Sequence, residues 1–83
     1  MMTSTAKKIM EVFRYFRIKK GEYISLKLLL SKKYLWMDIE EEEIKRAAAD
    51  LIKLGYIGKI DSPEGFELRE AGDDYLKQHT LPF

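Results

Sequence analysis

Residues 37–72, MDIEEEEIKRAAADLIKLGYIGKIDSPEGFELREAG, decide the fold. Ile44, Ala47, Ala48, Leu51 and Leu54 recur at the spacing of one helix face, where each residue advances about 100°. Asp38 with Glu41 three positions on forms a capping box ahead of that face, and Gly55 just past it suits the left-handed turn that ends helices. The spacing therefore predicts a helix over 39–54. Beyond it the period changes: two short alternating runs flank Ser62, Pro63, Glu64 and Gly65, with proline second and glycine fourth as a type I turn prefers. This predicts a β-hairpin over 57–69. A last helix, 70–78, turns Tyr75 and Leu76 inward, and the tail HTLPF is expected to be loose.

Toward the N-terminus, Thr3, Ser4 and Thr5 are N-cap residue types, and Ile9, Val12, Phe13 and Phe16 share one helix face. They predict an amphipathic helix over 5–18. Gly21 ends it, after Lys19 and Lys20, whose charges suit the negative pole of the helix dipole. Tyr23 and Ile24 form a minimal extended segment, and Ser25 caps a second helix over 25–34. Trp36 and Met37 are expected in the core. The order helix, short strand, helix, helix, hairpin, helix describes one α+β domain over residues 1–83.

Several function classes lose support on composition. With no cysteine the chain has neither a disulfide nor a thiolate metal site, and its single histidine, His79, has no nucleophile near it. Adjacent glutamates on a helix point in different directions, so Glu40 to Glu43 cannot converge on a metal or work as an acid–base pair. Gly55, Gly58 and Gly65 serve a helix end and a hairpin, not a phosphate loop. No enzymatic activity, catalytic residue, metal or cofactor is expected. The longest purely aliphatic run, Leu28 to Leu30, is far short of the ~20 residues that span a bilayer, and MMTSTAKK lacks a signal peptide's apolar segment. These features predict a cytoplasmic protein with no membrane partner.

Net charge is +1, but its distribution is uneven. Residues 1–37 hold nine Lys or Arg against two Glu, a balance of +7, whereas residues 38–83 hold six basic and twelve acidic residues, a balance of −6. A fold that separates the two halves has a basic side and an acidic side.

The residues Ile44, Leu51, Leu54, Gly55, Tyr56 and Ile57, then Phe66, Glu67 and Leu68, then Glu70, Ala71, Gly72, Tyr75 and Leu76 resemble the winged-helix superfamily, in particular small MarR-like and PadR-like prokaryotic or phage regulators. They match its "L-x-x-L-x-x-x-G-[LY]-[IV]" turn and its closing "Y-x-L-T-x-x-G-x-x-Y-L" segment, over nearly the whole chain. Arg69 stands where the family often has a capping threonine. The resemblance implies a winged helix-turn-helix with the 39–54 helix in the major groove of double-stranded DNA and a role in transcription regulation.

On that helix the face opposite the core holds Glu42, Lys45, Arg46, Ala49 and Lys53. Lys45, Arg46, Ala49 and Lys53 are the expected reading residues, with Lys27, Lys32, Lys33 and Lys59 on phosphates. Glu41 with Lys45 and Glu42 with Arg46 stand at i,i+4 in the favourable order, and first-turn acids suit the dipole. The alternative is an interaction module whose Glu41, Glu42 and Glu43, with the acidic hairpin tip, dock on a basic protein partner. Tyr15 and Ile18, off the inner face of the first helix, would suit a homodimer through the first and last helices.

Overall fold

The computed structural model describes residues 2–78, apart from the side chains of Lys33 and Tyr34. The expectations for His79 and the tail, and for the Lys33 side chain, lie outside the described residues.

Helix α1 (Ser4–Tyr15) starts at Thr3, whose hydroxyl accepts the Ala6 N–H at 3.1 Å. It buries Ala6, Ile9, Met10, Val12 and Phe13. The helix stops three residues short of the expected Ile18. Arg17 adopts a left-handed φ of 55°, and the N–H groups of Arg17 and Ile18 turn back to the carbonyls of Arg14 and Phe13. That pair of bonds is a Schellman motif, and it brings Ile18 back against the margin of the core before the polar Lys19 and Lys20 begin. Gly21, which the sequence offered as the terminator, also has a left-handed φ, 89°, but its N–H is given to Leu68 O at 2.9 Å. It serves the sheet, not the helix end.

The sheet is three-stranded and antiparallel, in the order β1 (Tyr23–Ser25), β3 (Glu64–Leu68), β2 (Ile57–Asp61). Ile24 faces Phe66 and Ser25 faces Gly65 on one side of β3, while Ile60 faces Gly65 and Asp61 faces Glu64 on the other. The hairpin turn is therefore tighter than the sequence reading. Ser62 and Pro63 alone join the strands, their peptide is cis, and Gly65 lies inside β3. The glycine is needed there because a Cβ would collide with Ile24 O and come within 2.8 Å of Ser25 Cα.

Between β1 and the main helix the expected single helix over 25–34 is two: α2 (Leu26–Leu30) and α3 (Lys33–Trp36). Ser25 caps the first, its hydroxyl accepting the Leu28 N–H. Ser31 breaks it, because its hydroxyl donates back to Leu28 O at 2.6 Å and competes with continuation of the ladder. Trp36 bridges the break, its indole N–H donating to Leu29 O at 3.1 Å. Trp36 is a core residue at 7% exposure; Met37, at 79%, is not.

Helix α4 (Glu41–Lys53) begins two residues later than expected. Asp38 makes no capping box, because Glu40 is the N-cap and Asp38 falls in the preceding turn. Ile44, Ala47, Ala48 and Leu51 are buried, and Gly55 (φ 79°) ends the helix with the N–H of Gly55 on Ile52 O and that of Tyr56 on Leu51 O. Leu54 is the C-cap and stays exposed; Ile57 fills the core there instead. Arg69 offers no capping hydroxyl to α5 (Glu70–Gln78). Its N–H instead donates to Tyr56 O, and Gly72 packs so closely on that carbonyl that a Cβ has no room. Tyr75 is half-buried beside Tyr56, with ring centroids 5.4 Å apart, and Leu76 is buried.

The core joins the inner faces of α1 and α4 to Ile24, Leu29, Trp36, Ile57, Leu68 and Leu76. Among the described residues no helix is long and apolar enough to cross a membrane. Because backbone atoms, not a flexible side chain, occupy the space beside Gly65, Gly65→Ala is expected to cost about 1–3 kcal/mol, the usual range for overpacking. Urea unfolding followed by circular dichroism checks it, and a midpoint within error of the parent would show that β1 can step aside.

Candidate nucleic-acid interface

Helix α4 lies against α1 by its Ile44, Ala47, Ala48 and Leu51 edge, where the two alanines allow close approach. Everything else on α4 faces outward: Glu41, Glu42, Glu43, Lys45, Arg46, Ala49, Asp50, Ile52 and Lys53 are exposed. Helix geometry divides that surface into a crest and two flanks. Glu42, Arg46 and Lys53 form the crest, with Ala49 beside them.

One flank faces the sheet. There Lys45, Ala49 and Ile52 meet Leu26 of α2, Lys59 of β2 and Phe66 of β3 across a groove of about 350 Å³, with Ala48 at its floor and Glu64 also lining it. The other flank faces the start of α1, where Arg46, Glu43 and Asp50 line a shallower hollow with Thr3, Ser4 and Thr5. The structure thus brings Lys45, Ala49 and Lys59 together and sets Arg46 toward the opposite flank. Lys27 is exposed on α2, next to the Leu26 of the groove.

Lys32, expected on phosphates, lies against aromatic rings. Its Nζ lies 3.8 Å from the centroid of the Tyr15 ring and 5.3 Å from that of Phe16, a cation–π contact that ties the α2–α3 junction to the end of α1. Tyr15 also packs edge-on against Phe16, with centroids 5.0 Å apart. Together these contacts cover part of the aromatic surface that the sequence offered to a homodimer.

The acidic entrance of α4 separates into distinct roles. Glu43 accepts a hydrogen bond from Thr5 Oγ1 at 2.6 Å, and Thr5 is only 3% exposed. That carboxylate joins α4 to the start of α1. Glu40 is the N-cap, and its carbonyl takes the N–H groups of both Glu43 and Ile44. Glu41 and Glu42 remain in solvent near the positive end of the helix dipole, where a carboxylate contributes about 0.3–1 kcal/mol.

The expected pairs Glu41–Lys45 and Glu42–Arg46 are not formed. Among the described residues the ion pairs are Glu11–Arg14 at 3.5 Å, Lys59–Asp61 at 3.9 Å, Glu67–Arg69 at 3.7 Å and Asp73–Lys77 at 3.0 Å. An exposed pair in water gains little over two separately hydrated charges, so the long side chains keep their freedom. Lys45, Arg46 and Lys53 therefore carry charges that no carboxylate in the described structure neutralises. On α5 the hydrogen bond and charge of Asp73 hold the Lys77 ammonium above its ordinary value of 10.5.

Sequence reasoning did not foresee the Thr5–Glu43 bond, the Lys32 contact or the groove. Among the described residues no group of three or more His, Cys, Asp or Glu side chains is placed to hold a metal ion. No protein-family model, curated protein or solved structure matches the chain.

Thr5→Val keeps the shape of the buried side chain and removes its donor, so it isolates the bond to Glu43. Hydrogen bonds to charged groups contribute about 1.5–3 kcal/mol, and since water can reach the Glu43 carboxylate the lower end applies. Glu43→Gln, which still accepts, is expected to lose less. Thermal unfolding of both variants checks the order, and the opposite ranking would show that the carboxylate's charge matters more than the bond.

Proposed function

We propose that this chain is a winged-helix domain that binds double-stranded DNA through α4 and acts as a small transcriptional regulator. The observation that carries the proposal is the set of unneutralised cations on the exposed side of α4, Lys45, Arg46 and Lys53, beside a β-hairpin that adds Lys59. The element order, with α2 and α3 in place of one expected helix, and the three-stranded antiparallel sheet are compatible with a small winged-helix-like fold, which supports the same reading. A helix is of the right width for the major groove, and Lys45, Arg46 and Lys53, interspersed with the exposed acids of α4, can position the phosphate backbone. The exposed acids of α4, Glu41, Glu42, Glu43 and Asp50, weaken the attraction.

Phosphate contacts release counterions, at about −0.9 in the slope of log affinity against log salt for each contact. Contacts from Lys27, Lys45, Arg46, Lys53 and Lys59 would give a slope of about −4.5. Fluorescence anisotropy with a mixed-sequence duplex between low and moderate salt measures it. Lys45→Ala with Arg46→Ala is expected to weaken binding at least tenfold and to flatten the slope by about 2. Absence of binding at low salt, or binding indifferent to that double variant, would overturn the proposal.

A second reading rests on Glu41 and Glu42, which are exposed and without an ion-pair partner, and on the hairpin tip, where Asp61 faces Glu64. These could meet a basic protein surface. Glu41→Lys with Glu42→Lys separates the two readings. DNA binding predicts tighter association and a steeper salt slope for that variant; a protein interface predicts no gain on DNA and loss of affinity for a basic peptide probe.

A further inference from the structure

The groove between α4 and the hairpin is more apolar than phosphate binding needs. Leu26, Ala49, Ile52 and Phe66 line it, from three elements distant in sequence, while Lys45 and Lys59 also contribute to its walls. Ile52 is 38% exposed and Ala49 is exposed, so apolar surface is offered to solvent on the flank of the very helix that carries the free cations. Glu64 belongs to the same groove. A carboxylate there disfavours a phosphate inside it.

What fits beside a DNA-facing helix is then a neutral, partly apolar feature of the major-groove wall. The groove floor of DNA offers one such group, the C5-methyl of a pyrimidine. Thymine carries it in every A·T pair, and small aliphatic and aromatic side chains are its usual contacts. 5-Methylcytosine presents the same group at the same position. The Glu64 carboxylate is a hydrogen-bond acceptor, which suits the exocyclic amino groups on major-groove base edges and not a phosphate oxygen.

We infer that the apolar groove formed by Leu26, Ala49, Ile52 and Phe66 reads the C5-methyl group of pyrimidines, giving the domain a preference for methyl-bearing base steps. The inference rests on the proposal that α4 binds DNA, and it names what that surface distinguishes. Lys45 and Lys59 provide the charge complementarity for the duplex, and Ile52 is the residue that sets the preference.

Four duplexes of equal length test it at one low salt concentration by anisotropy: alternating A·T with thymine, the same with uracil, alternating G·C with cytosine, and the same with 5-methylcytosine. Burying one methyl corresponds to about a fourfold change in Kd. The thymine duplex is expected to bind about fourfold tighter than the uracil duplex, or more if several methyls are contacted, and the 5-methylcytosine duplex tighter than the cytosine one. A preference in the thymine pair alone assigns the groove to A·T steps; one in both pairs assigns it to the methyl itself. Ile52→Ala, whose folding is verified by circular dichroism, should bring the ratios toward one, whereas Lys45→Ala should weaken all four duplexes while keeping the ratios. Equal affinities within each pair, or ratios that survive Ile52→Ala, would overturn the inference and leave DNA binding standing. Binding to none of the four would remove both.

Discussion

The passage of Ile24 and Ser25 across Gly65 joins the hairpin to the rest of the fold. At that crossing the backbones are so close that the second residue of β3 has no side chain, and three strands lock in one register. The hairpin is thereby fastened to the helical body instead of projecting from it. Leu26 follows directly on β1, so the same crossing fixes where α2 begins and how one wall of the groove meets Phe66. The relation of α4 to the hairpin, on which the DNA reading depends, is thus set in part by a strand that precedes both in sequence.

Much of this was legible from residue order. The inner faces of α1 and α4 follow from apolar spacing, since a helix exposes a simple period, and Gly55 announced the end of α4. What escaped were features decided by competition between local and distant partners. A serine hydroxyl returning to its own helix split α2 from α3, and an arginine accepted the left-handed conformation while a better candidate four residues later was taken by the sheet. The turn at Ser62 and Pro63 was misplaced because Gly65 looked like a turn residue and is a crossing residue. Period says which face is inside; it does not say which of two glycines the tertiary structure will claim.

The cluster of glutamates at the start of α4 illustrates the same lesson in electrostatics. As a string of letters it is a block of one sign. In three dimensions Glu40 precedes the helix, Glu43 is bound to a buried threonine, and Glu41, Glu42 and, further along, Asp50 remain free beside three free cations. The surface is then a mixed one, with small apolar residues set among charges of both signs. The groove's lining was invisible for a plainer reason: Leu26, Ile52 and Phe66 belong to three different elements, and no linear pattern joins them.

Trp36 spans the break between α2 and α3 with its indole N–H on Leu29 O, and it is the chain's one tryptophan. It is absent from the lining of the groove. Its emission is therefore a built-in optical label for the helical body, not for the α4 surface. Excitation at the indole band reports on the surroundings of the α2–α3 joint in the unmodified chain, while anything that binds α4 is followed by a label on that ligand. The protein carries, without any added probe, the means to tell a change of shape from a change of binding.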